Sequence, residues 1–403
     1  MKGSLLEVPS NTFIAIMKKF FAFAMAVAMA MPLMANEPET SEFGSEEALE
    51  SGFFTEALNS AIASSMEAAP AATPAAAAAE KEMTYGRNVT DFVSAPKFGG
   101  YVIGRYQYSD KDGAKGGPGF NQRLVRFYVD GTILKDFAYR IQLQTNNDGF
   151  HMKDFFVEWR KYKFAQIKIG QFKRAFGFEN PMNPWDISTG DYSLMTKLLT
   201  GHGDYLGCDT KGSANGGRDL GIQIQGDFLP VGEDKHNLFH YQLMVSNGTG
   251  INCNDTDGKK DITGTLQIQP VKGLMLGVFG WKGSFLKDGV DHSRNRYAFG
   301  AKYDSKGWAF RSEYAHGQSD LGNADAWYVV AGAPVNDWFK VSTQYQTARI
   351  GKSWSNAQCV YSIIPEFQLH KNLKLQLQYN WNDNRGAADK HYNEFWVETY
   401  FRF

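Results

Sequence analysis

Apolar and polar positions alternate along the chain from Lys97 onward, in segments of about ten residues that end at Gly, Asn, Asp or Pro. This period of two is typical of β-strands that bury one face and leave the other in a polar environment. About 16 segments follow it, an even number, as in bacterial outer-membrane barrels. They lie at residues 98–108, 123–131, 137–146, 153–160, 165–173, 218–228, 238–247, 261–269, 274–283, 295–304, 308–317, 325–333, 338–347, 359–369, 373–382 and 393–403. The pattern predicts an all-β protein, a transmembrane antiparallel β-barrel over residues 97–403.

The last segment, NEFWVETYFRF, would expose a row of apolar side chains if it stood in water. An unpaired edge of that kind promotes aggregation, so we expect this strand to pair with the first one and close the barrel. The residues expected to face lipid are Phe395, Val397, Phe401 and Phe403. The residues expected to face the lumen are Glu394, Trp396, Glu398, Tyr400 and Arg402. The terminal aromatic strand also resembles the signal that the outer-membrane assembly machinery recognises.

The connections in the second half alternate between short and long, which is typical of a barrel with short periplasmic turns and longer external loops. PVKG (270–273) and DSKG (304–307) are short, whereas SFLKDGVDHSR (284–294) and QSDLGNA (318–324) are longer. The longest connection, 174–217, joins the fifth and sixth strands. A loop of this length is usually functional, and we expect it to fold into the lumen and narrow it, the alternative being an extracellular cap.

The N-terminal region is predicted to be an export signal followed by a linker. MKKFFAFAMAVAMAMPLMA, from Met17 to Ala35, has a basic start, a short apolar run and small residues at its end, as a secretory signal peptide does. We assign 1–35 to the signal peptide, with a possible start at Met17. Residues 36–96 are rich in Ala, Glu and Pro, which predicts a periplasmic linker with a possible short helix.

Composition narrows the classes of partner. Beyond the signal peptide the sequence holds no apolar run of about 18 residues, so spanning helices are excluded. A net charge of -1 lacks the basic footprint of a nucleic-acid-binding protein. Aromatic residues reach 14 %, which suits a barrel embedded in outer-membrane lipid. Of the three cysteines, Cys208 and Cys253 lie in two predicted external loops and could be bridged, while Cys359 is expected in a strand.

Charged residues at the predicted inward positions are more often basic than acidic. Selectivity in a wide barrel comes from such charges and from those at the constriction. The candidate pore-lining or constriction residues are Arg126, Arg140, Arg160, Lys168, Arg174, Lys197, Lys211, Arg296, Lys302 and Arg311, with Lys173 also near the long loop. The alternative is that these charges pair with carboxylates on neighbouring strands and only solvate the wall.

The sequence lacks the catalytic and metal-binding motifs that would indicate an enzyme or a metal site. It contains neither Gly-x-Ser-x-Gly nor His-Glu-x-x-His, and NCNDTDGKKD (252–261) lacks two of the ligands of a calcium loop. We therefore expect a protein that is not an enzyme and needs no cofactor or metal.

Several stretches resemble the phosphate-selective porin O and P family. They are GQFKRAFGFENPMNP (170–184), the preceding DFFVEWRKYKFAQIKI, GGRDLGIQIQG (216–226) and the terminal aromatic strand. The resemblance covers most of the chain after about residue 97. It implies a 16-stranded, trimeric channel for small anions, although the selectivity residues of that family cannot be matched to positions here.

These observations predict an outer-membrane porin for the passive diffusion of small hydrophilic solutes. The basic lumen and the resemblance favour small anions, phosphate among them. The alternative is a substrate-specific channel or surface receptor that uses its external loops to capture a ligand such as an oligosaccharide.

Overall fold

The computed structural model describes residues 94–112, 118–146, 149–207 and 216–403. Within these ranges, sixteen antiparallel strands form a closed barrel in which each strand pairs with its neighbours in sequence and β1 pairs with β16. This confirms the predicted fold class. The expected signal peptide and the linker up to residue 93 lie outside the described residues and stay predictions.

The strands are β1 Lys97–Ser109, β2 Gly119–Ile133, β3 Phe137–Asn146, β4 Gly149–Tyr162, β5 Ala165–Lys173, β6 Arg218–Val231, β7 His236–Ser246, β8 Asp261–Val271, β9 Leu274–Lys287, β10 Val290–Ser305, β11 Trp308–Ser319, β12 Gly322–Pro334, β13 Phe339–Ile350, β14 Gln358–His370, β15 Leu373–Asn384 and β16 His391–Arg402. One short helix, α1 Leu194–Leu199, lies between β5 and β6. No helix in the described ranges has the length and apolar character needed to cross a membrane.

Strand β16 closes the barrel as its alternating pattern predicts. It pairs with β1 from Tyr101↔Arg402 to Ser109↔Glu394, which removes both sheet edges. The side chain of Tyr400 is fully buried inside the barrel, whereas Phe401 and Phe403 on the opposite face are each 51 % exposed. A face with this much exposed aromatic surface matches a lipid environment.

Some connections predicted as long loops are paired strand instead. β9 continues to Lys287 and β10 begins at Val290, so 284–294 is mostly a hairpin. Its two turn residues, Asp288 and Gly289, have φ of 52° and 75°. This is the positive-φ Asp-Gly turn that matches the twist of paired strands, and it lets the backbone hydrogen bonds continue to the hairpin tip.

The long loop folds into the lumen, as predicted, and packs there on a hydrophobic core. Phe176, Phe178, Met195 and Leu199 are its buried apolar residues. Their partners on the inner faces of β9–β13 are Phe279, Trp281, Ala298, Ala315, Ala324, Ala326, Tyr328, Val330 and Ala348. The five alanines leave the space that α1 occupies beside the wall.

Candidate channel constriction

The stem of the loop is fastened to the wall by two buried carboxylates. Glu313 on β11 accepts hydrogen bonds from the backbone N–H of Phe178, at 2.5 Å, and of Glu179, at 2.9 Å. The Glu179 carboxylate in turn accepts from the Arg311 guanidinium at 3.0 Å. Tyr328 on β12 donates its hydroxyl to Glu313 and accepts from Arg311. These hydrogen bonds join the stem of the loop to both β11 and β12, so the stem cannot move without breaking several of them together.

The tip of the loop is pinned by Trp185, which is only 7 % exposed. Its ring meets Tyr101 and Tyr400 edge to face, with centroid distances of 6.1 and 5.8 Å. The Arg402 guanidinium lies 4.2 Å from the ring centroid, and Lys374 donates to the Trp185 carbonyl at 2.8 Å. The tip therefore sits against the seam where β1 and β16 close the barrel.

Beyond the tip, the loop passes very close to the wall at Gly190. A Cβ there would lie 2.7 Å from Trp396 and 2.8 Å from Glu398, so only glycine leaves room. The Gly190 carbonyl accepts from Arg105 at 2.7 Å and its N–H donates to Gln378 at 2.6 Å. The loop is thus held on both sides of its tip.

The carboxylate of Asp191 lies among cations from the loop and from the wall. Lys197 is 2.7 Å away and Arg123 is 3.7 Å away. Burial alone would raise the pKa of Asp191, but Lys197, Arg123 and Arg105 outweigh burial and lower it. Asp191 therefore stays ionised and offsets part of the positive charge of this region.

The root of the loop rests on a balanced set of buried ion pairs. Arg174 pairs with Asp219 at 3.1 Å, Arg294 with Asp261 at 3.6 Å, and Arg296 with Asp204 at 2.5 Å. All three guanidinium groups lie 4.5–5.1 Å from the Trp281 ring centroid. Three cations meet three carboxylates, so this cluster anchors the loop and adds little net charge.

A second group of cations, which we name the basic wall, is not balanced in this way. Its members are Arg126 on β2, Lys153 on β4, Lys173 on β5 and Arg218 on β6. Arg218 forms a bidentate pair with Asp154, at 2.7 and 3.0 Å. Arg126 instead donates to neutral groups, the Tyr101 hydroxyl at 2.7 Å and the Gln144 side-chain oxygen at 2.5 Å.

Lys173 connects the basic wall to the loop. Its ammonium donates to the Met182 carbonyl at 2.5 Å and to the Tyr192 hydroxyl at 3.0 Å, both neutral acceptors. The Tyr192 ring packs on His202, with centroids 4.2 Å apart. Burial, with Lys173 and Arg218 nearby, lowers the pKa of His202 well below its ordinary value. The basic wall thus combines four basic side chains with one carboxylate, Asp154, which is paired with Arg218.

At the end of the barrel where β1 begins and β16 ends, charges pair across neighbouring strands. Arg140 contacts both oxygens of Asp130 at 2.7 Å, and Lys168 lies 3.2 Å from Glu158. Arg160 lines the same mouth, at a cavity of about 480 Å³. Pairing of this kind matches the alternative drawn from the sequence, in which wall charges neutralise one another.

The ten sequence candidates therefore fall into different settings. Arg174, Arg296 and Arg311 are buried and hold the loop, and Arg126, which is equally buried, belongs to the basic wall. Arg140, Arg160 and Lys168 lie at the mouth, and Lys197 is on α1. Lys302 is half-buried on β10 opposite Arg311 in the strand register. Lys211 lies outside the described residues, as does Cys208, so the bridge to Cys253 stays a prediction.

Four cations near the loop were missed by the sequence argument: Arg105, Arg123, Lys153 and Arg218. Arg105 could have been found, because it alternates with the inward residues Tyr101 and Ile103. Arg123 could not, because a register shift between β1 and β2 at Ile103 and Gly104 breaks the period of two.

Comparison with known proteins agrees with this architecture. A family model described as Gram-negative porin matches residues 63–387. The anion-selective porin from Comamonas acidovorans is 16 % identical, with a TM-score of 0.59 over 77 % of this chain and 100 % of that one. OmpF from Salmonella typhi is 13 % identical, with a TM-score of 0.58 over 76 % of this chain and 97 % of that one. The outer-membrane channel DcaP of Acinetobacter baumannii is 10 % identical, with a TM-score of 0.56 over 79 % and 100 %.

These identities are low, so the likeness to solved structures concerns the fold. No curated protein matches the chain in sequence.

Proposed function

The chain belongs to the Gram-negative porin family and is a channel of the bacterial outer membrane, and from this we propose that it passes small anions in preference to cations. Passage is passive, and the inward loop sieves hydrophilic solutes by size and charge. Phosphate is among the small anions that we expect to pass.

The observation that carries this proposal is the unbalanced charge of the basic wall. Four basic side chains accompany the single carboxylate of Asp154, which pairs with Arg218, and the loop groups that contact Lys173 are neutral. With an effective dielectric constant of about 20, one unit charge acts on another at about 7 Å with roughly 2 kcal/mol. Salt screens this interaction over about 8 Å at physiological ionic strength. The surplus is therefore large enough to favour an anion over a cation within the narrowed lumen.

The ion pairs elsewhere in the barrel support the same assignment. Balanced clusters hold the root of the loop and the mouth, so they contribute structure more than selectivity. The fold is shared with a porin named as anion-selective, from Comamonas acidovorans.

We also propose a homotrimer, inserted by the outer-membrane assembly machinery after export directed by residues 1–35, with 36–96 as a periplasmic linker. A porin of similar fold, OmpT of Vibrio cholerae, is described in a trimer form. Cross-linking of the protein in intact outer membranes tests the trimer.

The reversal potential in a planar bilayer under a potassium chloride gradient tests the anion preference. We expect a potential of the sign set by chloride, and a shift toward zero in Lys153→Gln, which removes one charge of the basic wall. Lys352→Gln, in the external β13–β14 connection, is the matched control and should leave the potential unchanged. Millimolar phosphate should reduce the chloride current if phosphate enters the same path.

A cation-preferring reversal potential in the unmodified protein would refute the proposal. Current that is blocked by oligosaccharides and insensitive to Lys153→Gln would instead favour the substrate-specific channel.

A further inference from the structure

The lipid-facing side of β12–β15 contains a recess of about 460 Å³. Val329 and Ala331 on β12, Thr343 on β13 and Ile363 on β14 line its lower part. Ala331 and Thr343 have small side chains and lie next to large aromatic residues, so the outer face of the barrel is recessed at these two positions. Because van der Waals attraction is lost wherever atoms lack neighbours, a space of this size on a membrane face is filled by lipid or by protein.

A row of aromatic rings forms the upper rim of the recess. Tyr345, Tyr361 and Trp381 follow one another on β13, β14 and β15, with centroids 4.8 and 5.1 Å apart. Trp327 continues the row on one side at 4.9 Å, and His391 stacks on Trp381 on the other at 5.8 Å. Rows of this kind mark the level where the hydrocarbon region meets the lipid headgroups.

Basic residues lie above this row, on the same outer face. Arg349 alternates with Tyr345 and Thr343 along β13, so the three side chains point the same way. Arg349 pairs with Asp325 at 2.6 Å, and His316 contacts the same carboxylate at 2.8 Å. Lys352 follows in the external connection. Asp325 thus offsets Arg349, and Lys352 adds a second permanent cation in the adjoining connection, so these basic groups outnumber the one carboxylate that they accompany.

The vertical spacing places the recess just inside the hydrocarbon region. Thr343 lies two residues below Tyr345 of the aromatic row, or about 7 Å along the strand at roughly 3.3 Å per residue. With a strand tilt of about 40°, this is a depth of about 5 Å below the row. Arg349 lies four residues above Tyr345, a height of about 10 Å by the same measure, on the headgroup side. The first part of a chain whose headgroup lies beside Arg349 therefore reaches the recess.

We propose that the recess holds an acyl chain of an anionic, phosphate-bearing lipid of the outer leaflet, whose headgroup contacts Arg349 and Lys352. Shape alone gives little preference, because lipid tails are as apolar as the side chains around them. Retention therefore depends on close packing against the aromatic row combined with the charge above it. A recess of about 460 Å³ is too small to admit the outer wall of a second barrel, whereas an acyl chain can enter it.

Native mass spectrometry of the full-length protein, extracted from outer membranes in a mild detergent, tests this proposal. We expect one retained lipid of phosphate-bearing mass per chain. Ala331→Phe fills the recess and should lower the retained fraction at least tenfold. Ala301→Phe, on the lipid-facing side of β10 and outside the recess, is the matched control and should retain the lipid.

A second measurement distinguishes the contribution of the headgroup contacts to lipid binding from that of the acyl chain. Added phosphatidylglycerol should raise the midpoint of thermal unfolding of the unmodified protein more than phosphatidylcholine does. Arg349→Gln should remove this difference, and the smaller variant Ala331→Leu should reduce both shifts. Equal lipid retention by Ala331→Phe and the unmodified protein would overturn the proposal, as would equal loss in Ala331→Phe and Ala301→Phe. A protein dimer that Ala331→Phe disrupts, in place of a lipid adduct, would also overturn it.

Discussion

Replacing Trp185 by Ala should release the tip of the inward loop while the stem stays attached. The change removes a buried ring that contacts Tyr101, Tyr400 and Arg402. Truncation of a buried Trp to Ala typically costs about 3–5 kcal/mol, and the lost contact with the Arg402 guanidinium is part of that sum. The backbone hydrogen bond from Lys374 to the carbonyl of residue 185 can remain, since it does not involve the ring.

A destabilisation of this size should change the current through single channels measurably. Each 1.4 kcal/mol is a factor of about ten, so the ratio of released to docked tips should rise by a factor of roughly a hundred or more. The Glu313 contacts with Phe178 and Glu179 still hold the stem. We therefore expect intact barrels with a larger mean conductance and more open-channel noise.

The assay is single-channel recording in planar bilayers, with the folded state checked by resistance to denaturation at room temperature. Trp354→Ala is the matched control, because Trp354 is 38 % exposed and lies in the external β13–β14 connection against Arg349. Its conductance and noise should equal those of the unmodified protein. If the conductance and noise of Trp185→Ala equal those of this control, the conclusion that Trp185 holds the tip of the loop against the barrel wall is refuted.

Three further predictions concern the anchoring of the loop. Glu313→Ala leaves the Tyr328 hydroxyl and two loop N–H groups without their buried acceptor, so it should destabilise the protein by about 1–3 kcal/mol or more, measured as a lower midpoint of thermal unfolding; an unchanged midpoint would contradict this. Ala315→Leu adds volume to the core beneath α1, so it should destabilise the protein by about 1–3 kcal/mol and alter the channel conductance. Ala301→Leu, on the lipid-facing side, should change neither stability nor conductance. His202 stays neutral in the folded protein while the unfolded chain takes up a proton below about pH 6.5. Stability should therefore fall as the pH drops from 8 to 5, and His202→Gln should show a smaller fall; an equal fall in both proteins would count against the depressed pKa.

Local patterns were sufficient for the barrel and for the sides of its strands. In β16, the alternation of Glu398, Tyr400 and Arg402 with Phe401 and Phe403 already predicts which residues face the lumen. The same holds for Arg126 and Arg140, which alternate with the lipid-facing Phe127 and Ile141. The rule failed where the register shifts, as at Arg123, because one extra residue in a strand reverses the side on which the next side chain points.

The partners of the charges could not be predicted in the same way. Arg174, Arg296 and Arg311 were expected beside an open path, but they bind Asp219, Asp204 and Glu179, and two of these carboxylates are more than 90 residues away in sequence. No local signal connects such positions.

The sequence by itself determined that this chain forms a barrel, which faces of the strands meet lipid, and that one connection is long enough to enter the lumen. These properties follow from the period-two geometry of strands, which acts over a few residues. Only the tertiary structure decided the course of the loop through the lumen, and with it which cations are neutralised and which remain as the basic wall. The reason is physical: charges interact through space over several ångströms, so their balance depends on residues that only folding brings together.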